Sequence, residues 1–174
     1  GYRYESTDSD PTHRPHEDIY SCRSIVERRF SESGPDFTLF KLDRTVHNHV
    51  PVELNRGTHV RKGDEVFVIG HPLGLPAKLA DGAKVRRVVE QAGFFVANLD
   101  TFGGNSGSPV FNAKTNQLEG IIVRGEDDFE NHGRCLKTRF CREAGCRGED
   151  VIFSSVVAPY IDRARGGRGA SRYQ

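Results

Sequence analysis

"TFGGNSGSPVFN", residues 101–112, is the stretch from which the rest of the chain can be read. Three glycines flank Asn105 and Ser106, Ser108-Pro109 follows, and an apolar pair, Val110-Phe111, comes next. A serine that is to attack a carbonyl needs an exposed, oriented hydroxyl and neighbouring backbone N–H groups that can receive an oxyanion. Glycine ahead of the serine lets successive amides point one way with no Cβ in their path. Gly104 and Ser106 would donate those two N–H groups, and Ser108-Pro109 would turn the chain into a buried strand. An ordinary Gly-rich turn and a phosphate cradle are the alternatives, but a P-loop needs a Lys-Ser/Thr pair that is missing here.

On either side of this stretch lie short apolar runs bounded by turn residues. They are "CRSIVERRF", "FTLFKL", "EVFVIG", "AKVRRVVEQ", "GFFVANL", "SPVFN", "LEGIIV" and "VIFSSV". Val, Ile and Phe dominate them, and Gly, Pro and Asn separate them, which predicts an all-β sandwich or barrel. Only "SSVVAPYIDRAR" suits a helix, with Pro159 expected inside its first turn. The first twenty residues carry five acidic groups and almost nothing to bury, so they read as a loop or disordered lead-in. The Gly-rich basic end reads as a frayed terminus.

Bulk properties narrow the classes. Twenty-five Lys and Arg nearly balance 24 Asp and Glu, so no global field argues for nucleic acid or an anionic membrane. No apolar run approaches the ~20 residues of a membrane span, and the polar start "GYRYESTDSDPTHRPHED" is unlike a signal peptide. Cys22 stands apart from Cys135, Cys141 and Cys146. An even count favours disulfides, with free thiols as the alternative and zinc a poor match to the C-x5-C-x4-C spacing. Disulfides would mean an exported protein.

The segment "GGNSGSPVF" resembles the active-site segment of trypsin-like (chymotrypsin-fold) serine endopeptidases, and most of all the bacterial branch that includes the glutamyl endopeptidases. Three further stretches resemble this family in the same chain order. "PDFTLFKLDR" is similar to the segment where the triad aspartate opens an apolar strand, which points to Asp36 rather than Asp43. "VFVIGHPLGLP" is similar to the strand and turn opening the second barrel, where the resemblance gives His71 no catalytic role. "VIFSSVVAPYID" is similar to the closing strand and terminal helix. The resemblance spans roughly residues 20 to 164.

It implies a double β-barrel with an incomplete first barrel and a short C-terminal helix. The expected organisation is a lead-in at 1–20, a remnant of the first barrel at 21–60, the second barrel and helix at 61–165, and a disordered tail at 166–174. The implied function is peptide hydrolysis through a Ser106 acyl-enzyme, with Asp36 orienting the histidine and no metal or organic cofactor. Nothing in residues 1–35 resembles the family's histidine segment. His13 and His16 lie in a proline-broken, charged stretch, a poor place to pin a general base. The chain is therefore expected to be a C-terminal portion of a protease, nearly inert alone, with a non-catalytic peptide-binding protein as the rival. Asn105 stands where animal digestive enzymes carry an aspartate that pairs with a newly cut N-terminus, so that activation route is not expected.

The resemblance places the primary specificity pocket between the segment before Ser106 and the strand "GIIVRG", making Asp100, Thr101, Ile122, Val123 and Arg124 its candidate residues. Asp100 stands six residues before Ser106, the spacing at which a trypsin-like pocket carries its carboxylate and selects Lys or Arg. Ile122 matches the position where glutamyl endopeptidases carry a histidine, which argues against strict Glu specificity. Arg124 could still attract an acidic side chain or be a solvated strand-end arginine, so the balance leans to cleavage after basic residues. The implied partners are peptide or protein substrates, without nucleic acid or membrane, and the implied state is a monomer, secreted or periplasmic.

Overall fold

The computed structural model describes residues 19–57, 60–140 and 145–166. The lead-in is thus almost wholly outside the described residues, as are most of the basic tail and Cys141. Among the described residues there are ten strands and one α-helix, and most follow the punctuation of the sequence. β1 (Cys22–Arg29) and β2 (Phe37–Leu42) pair as an antiparallel two-stranded sheet. β3 (Glu65–Gly70), β4 (Lys78–Val89), β5 (Phe94–Ala97), β6 (Pro109–Asn112), β7 (Leu118–Arg124) and β10 (Glu149–Phe153) close into a barrel. Its strand order is β10-β5-β4-β3-β6-β7, and β7 returns to β10 to remove the open edge. β8 (Phe129–Asn131) and β9 (Leu136–Thr138) form a separate hairpin, and α1 (Ser154–Ala164) follows β10 directly.

Period-two patterning fills this barrel. Phe95 and Ala97 of β5, Val66 and Val68 of β3, Val110, Ile122, Val151 and Phe153 meet in its interior. The Phe95 and Phe153 rings lie 5.4 Å apart in a tilted arrangement. The opposite faces of β5 and β10 are also covered: Phe94, Val96 and Ile152 form a second cluster with Val156 of α1. "FFVA" is therefore buried at all four positions and shows no alternation.

Three local features depart from the sequence reading. Val85 and Val88 are three residues apart, which on a regular strand would put them on opposite faces; a register shift between Val85 and Arg87 brings both to the core. β4 also begins earlier than its apolar run, because Lys78–Ala80 pairs with the end of β3 although it lacks β-branched residues. Finally, α1 starts at Ser154, so Pro159 falls in the second turn, not the first. There its missing N–H leaves the Ser155 carbonyl without an intrahelical partner.

The cysteine framework expected from the even count is not formed throughout. Cys22 and Cys135 are free and exposed, so neither takes part in a disulfide. Cys146 is disulfide-bonded. No helix among the described residues is long and apolar enough to cross a membrane.

Candidate active site

Ser106 sits on the turn that leads into β6, with its side chain exposed. Backbone bonds from the barrel hold the turn at both ends. Gly107 N–H donates to the Ile122 carbonyl at 2.7 Å, and Ile122 N–H donates to the Ser108 carbonyl at 3.0 Å. Within the turn, Asn105 N–H donates to Phe102 O at 3.1 Å and Ser108 N–H to Asn105 O at 2.8 Å. Among the described residues neither the Gly104 nor the Ser106 amide is engaged by another protein group. Two unengaged donors thus lie in the same short turn as an exposed hydroxyl, and donors of this kind are what an oxyanion needs.

Gly104 takes φ +98°, which an L side chain rarely adopts, and a Cβ there would lie 3.0 Å from the His71 carbonyl oxygen and the Leu73 nitrogen. Gly104→Ala should therefore lower stability by about 1–2 kcal/mol, read as a fall in Tm; an unchanged Tm would mean that the turn relaxes freely. Asn105 is 3 % exposed and gives its side-chain N–H to Phe102 O at 3.0 Å. Its other amide atom lies over Gly70, at the end of β3, where any Cβ would collide with it. Asn105 therefore acts as a packed strut between β3 and the serine turn.

The candidate residues separate into distinct places. A cavity of about 100 Å³ contains Ser106 and is lined by Thr101, Ile122 and Arg124, together with Glu126, Asp128 and Glu149. Asp100 is exposed and lines an adjoining cavity of about 350 Å³, not the one holding Ser106. Val123 lies on the other face of β7, in the cluster under α1. Ile122 belongs to the barrel core as well as to the cavity wall. The largest described cavity, about 730 Å³ against Lys62 and Arg87, shares no residue with the Ser106 cavity.

Arg124 is largely engaged within the protein. Its Nε donates to Asp150 Oδ2 at 3.0 Å, its Nη1 to the Ser31 carbonyl at 2.9 Å and its Nη2 to the Gly34 carbonyl at 3.2 Å. The guanidinium also lies over the Phe94 ring. Arg124 therefore ties the turn just ahead of Asp36 to the barrel wall beside Ser106. Asp36 itself is half-buried and immediately precedes β2. Its neighbour Phe37 is buried against Tyr160 of α1.

No histidine among the described residues lines the Ser106 cavity. His71 is exposed and its Nδ1 lies 3.0 Å from the Leu75 carbonyl; His132 lies beside Glu130. His13 and His16 fall outside the described residues.

Glu149 was not singled out by sequence reasoning, since it is one of 24 acidic residues with no motif around it. Burial foremost, and then the nearby Asp128, push its carboxyl up to about 7, while Arg147 pulls it down. The consequence for stability has a definite sign. Below 4.5 the group is protonated in both folded and unfolded chains, and its full contribution is present. As pH rises towards 7 the unfolded chain releases its proton first, and stability is lost until the folded carboxyl has ionised. Glu149→Gln should therefore match wild type at pH 4 and exceed it at pH 8 by about 1–2 kcal/mol, the full shift being discounted for partial exposure. Denaturant titrations at both pH values check this, and equal midpoints at pH 8 would contradict it.

Comparison with known proteins bears on the family and the fold. The family model "Trypsin-like peptidase domain" matches residues 5–121. The glutamyl endopeptidase of Staphylococcus epidermidis is 34% identical over 103 residues. The aligned part is 55% of this chain and 36% of that protein, so the chain spans little more than a third of the curated relative. Among solved structures, Kallikrein-related peptidase 10 superposes with a TM-score of 0.60 at 16% identity, covering 86% of this chain and 73% of that one. The active form of Rv3671c protease from M. tuberculosis gives 0.54 at 15% identity, covering 86% and 60% respectively. At these identities the two likenesses show the fold: a mostly β, chymotrypsin-like architecture.

Proposed function

Since the chain belongs to the trypsin-like peptidase domain family, we propose that it is the part of a serine endopeptidase that carries the nucleophile, the oxyanion hole and the orienting acid. Ser106 Oγ attacks the scissile carbonyl carbon, and its proton passes to a histidine base and from there to the departing amine. The amides of Gly104 and Ser106 hold the oxyanion in the tetrahedral intermediate. Water then cleaves the acyl–Oγ ester and restores the hydroxyl. Asp36 orients the base and stabilises its imidazolium. The base itself is carried by a segment outside the described residues, because no histidine among them lines the cavity. The substrate is a peptide or protein, and by the same resemblance the enzyme works as a monomer outside the cytoplasm.

The observation that carries this reading is the exposed Ser106 between two unengaged amides. Reaction with a fluorophosphonate tests it. Mass spectrometry should find a single adduct on the peptide containing Ser106 in the active protein, and none in Ser106→Ala. An adduct on another residue would overturn the assignment. The lack of a histidine in the described cavity favours a second reading, a non-catalytic peptide-binding protein. Absence of any adduct, with ligand binding in the cavity intact, would establish that one instead.

A further inference from the structure

We propose that the cavity beside Ser106 accepts a lysine or arginine side chain of the substrate, and that Glu149, not Asp100, is the carboxylate that grips it. This inference rests on the peptidase reading of Ser106.

Three acidic residues and one arginine supply the charge of that cavity: Glu126, Asp128, Glu149 and Arg124. The arginine is spent on Asp150 and two carbonyls. Two of the acids are spent as well. Asp128 Oδ2 accepts the Gly103 N–H at 2.6 Å, and Glu126 Oε1 accepts the Arg147 N–H at 2.9 Å. Asp150, just behind the wall, already receives both Arg124 and Arg147. Glu149 alone among these four carboxylates has no hydrogen bond or ion pair among the described residues.

Its placement depends on Gly125. The Glu149 carboxyl lies so close over the Gly125 Cα that any Cβ at 125 would collide with both oxygens and the carbon between them. Here β7 runs out into a bare backbone wall, and the carboxylate lies on that wall in place of a side chain. A half-buried, unpaired carboxylate is costly, and a cation entering the cavity offers what it lacks, a charge-assisted donor. A glutamate side chain would instead add a fourth carboxylate to the lining. The cavity adjoins the 350 Å³ one, and the two share Thr101, Phe102, Glu126, Asp128 and Glu149 as lining residues.

The grip should depend on pH. Asp128, Asp150 and Glu126 face Glu149 and favour its protonated form together with burial, while Arg147 opposes them. Arg124 lines the same cavity, and Asp100, Asp127, Arg86 and Arg139 line the adjoining one. With the carboxyl raised to about 7, cation binding strengthens as pH rises through neutrality.

Binding of p-aminobenzamidine, followed by its fluorescence at pH 6 and pH 8, tests the inference without requiring Ser106 to react. Expected are saturable binding at pH 8, weaker binding at pH 6, and a loss of about 10-fold or more in Glu149→Gln at pH 8, the loss of one charge-assisted contact. In that variant the two pH values should give the same affinity. Asp100→Asn and Ser106→Ala should both bind as wild type does. Equal affinity of wild type and a natively folded Glu149→Gln, or a loss confined to Asp100→Asn, would overturn the proposal. Ser106 labelling without amidine binding would also overturn it while leaving the peptidase reading in place. Glu149-dependent binding without labelling would uphold the cation cavity and overturn the peptidase reading.

Discussion

Replacing Ser106 by alanine is expected to lower kcat/KM for peptide hydrolysis by about 10⁴-fold or more, since loss of a triad nucleophile removes covalent catalysis altogether. The residue is exposed, and its side chain makes no hydrogen bond among the described residues. Its removal should therefore leave Tm unchanged, so that chemistry and folding separate cleanly. The comparison must be made in protein that hydrolyses peptides, which on this reading includes the segment carrying the histidine. Any residual rate would reflect the amides of Gly104 and Ser106, which still polarise a bound carbonyl. A variant as active as wild type would remove Ser106 from the mechanism.

Arg124→Ala should be the most damaging change to the fold beside the site, at about 3–5 kcal/mol. Asp150 is 2 % exposed, and its Oδ1 has no hydrogen-bond partner among the described residues. Arg124 and Arg147 both reach Oδ2, the latter at 2.6 Å, so removing Arg124 leaves a buried charge with half its compensation. The Ser31 and Gly34 carbonyls lose their donor at the same time. Arg124→Lys should recover only part of the stability, because one ammonium cannot reproduce the fork that serves three acceptors. The same variant should impair catalysis in kcat, because the turn that leads to Asp36 loses its tie to the barrel. Urea unfolding of the three proteins checks the ranking. If alanine cost less than about 1 kcal/mol, the pair would behave like an ordinary surface ion pair.

These two residues mark the difference between what was and was not readable along the chain. Ser106 announces itself because its requirements are local: flexible neighbours, a turn, and a strand behind it, all within twelve residues. The strands announce themselves for the same reason, wherever Val, Ile and Phe fall between Gly, Pro and Asn. Where a strand is held by its neighbour and not by its own residues, as at Lys78–Ala80, or where it is short and exposed, as at Leu136–Thr138, no local pattern marks it.

The sequence by itself determined the fold class, the family and the position of the proposed nucleophile, because each follows from short-range patterning of side chains and backbone freedom. It could not decide what Arg124 does. That side chain is polar, at a strand end, and compatible with solvent or substrate until Asp150, Ser31 and Gly34 are brought to it. Nor could it choose among 24 acidic residues for the one proposed to grip a substrate cation. Glu149 stands out because β10 lies beside β7, Gly125 leaves a bare wall, and the neighbouring carboxylates are already paired. Charge and hydrogen-bond satisfaction depend on distance in space, and only the closed barrel sets those distances.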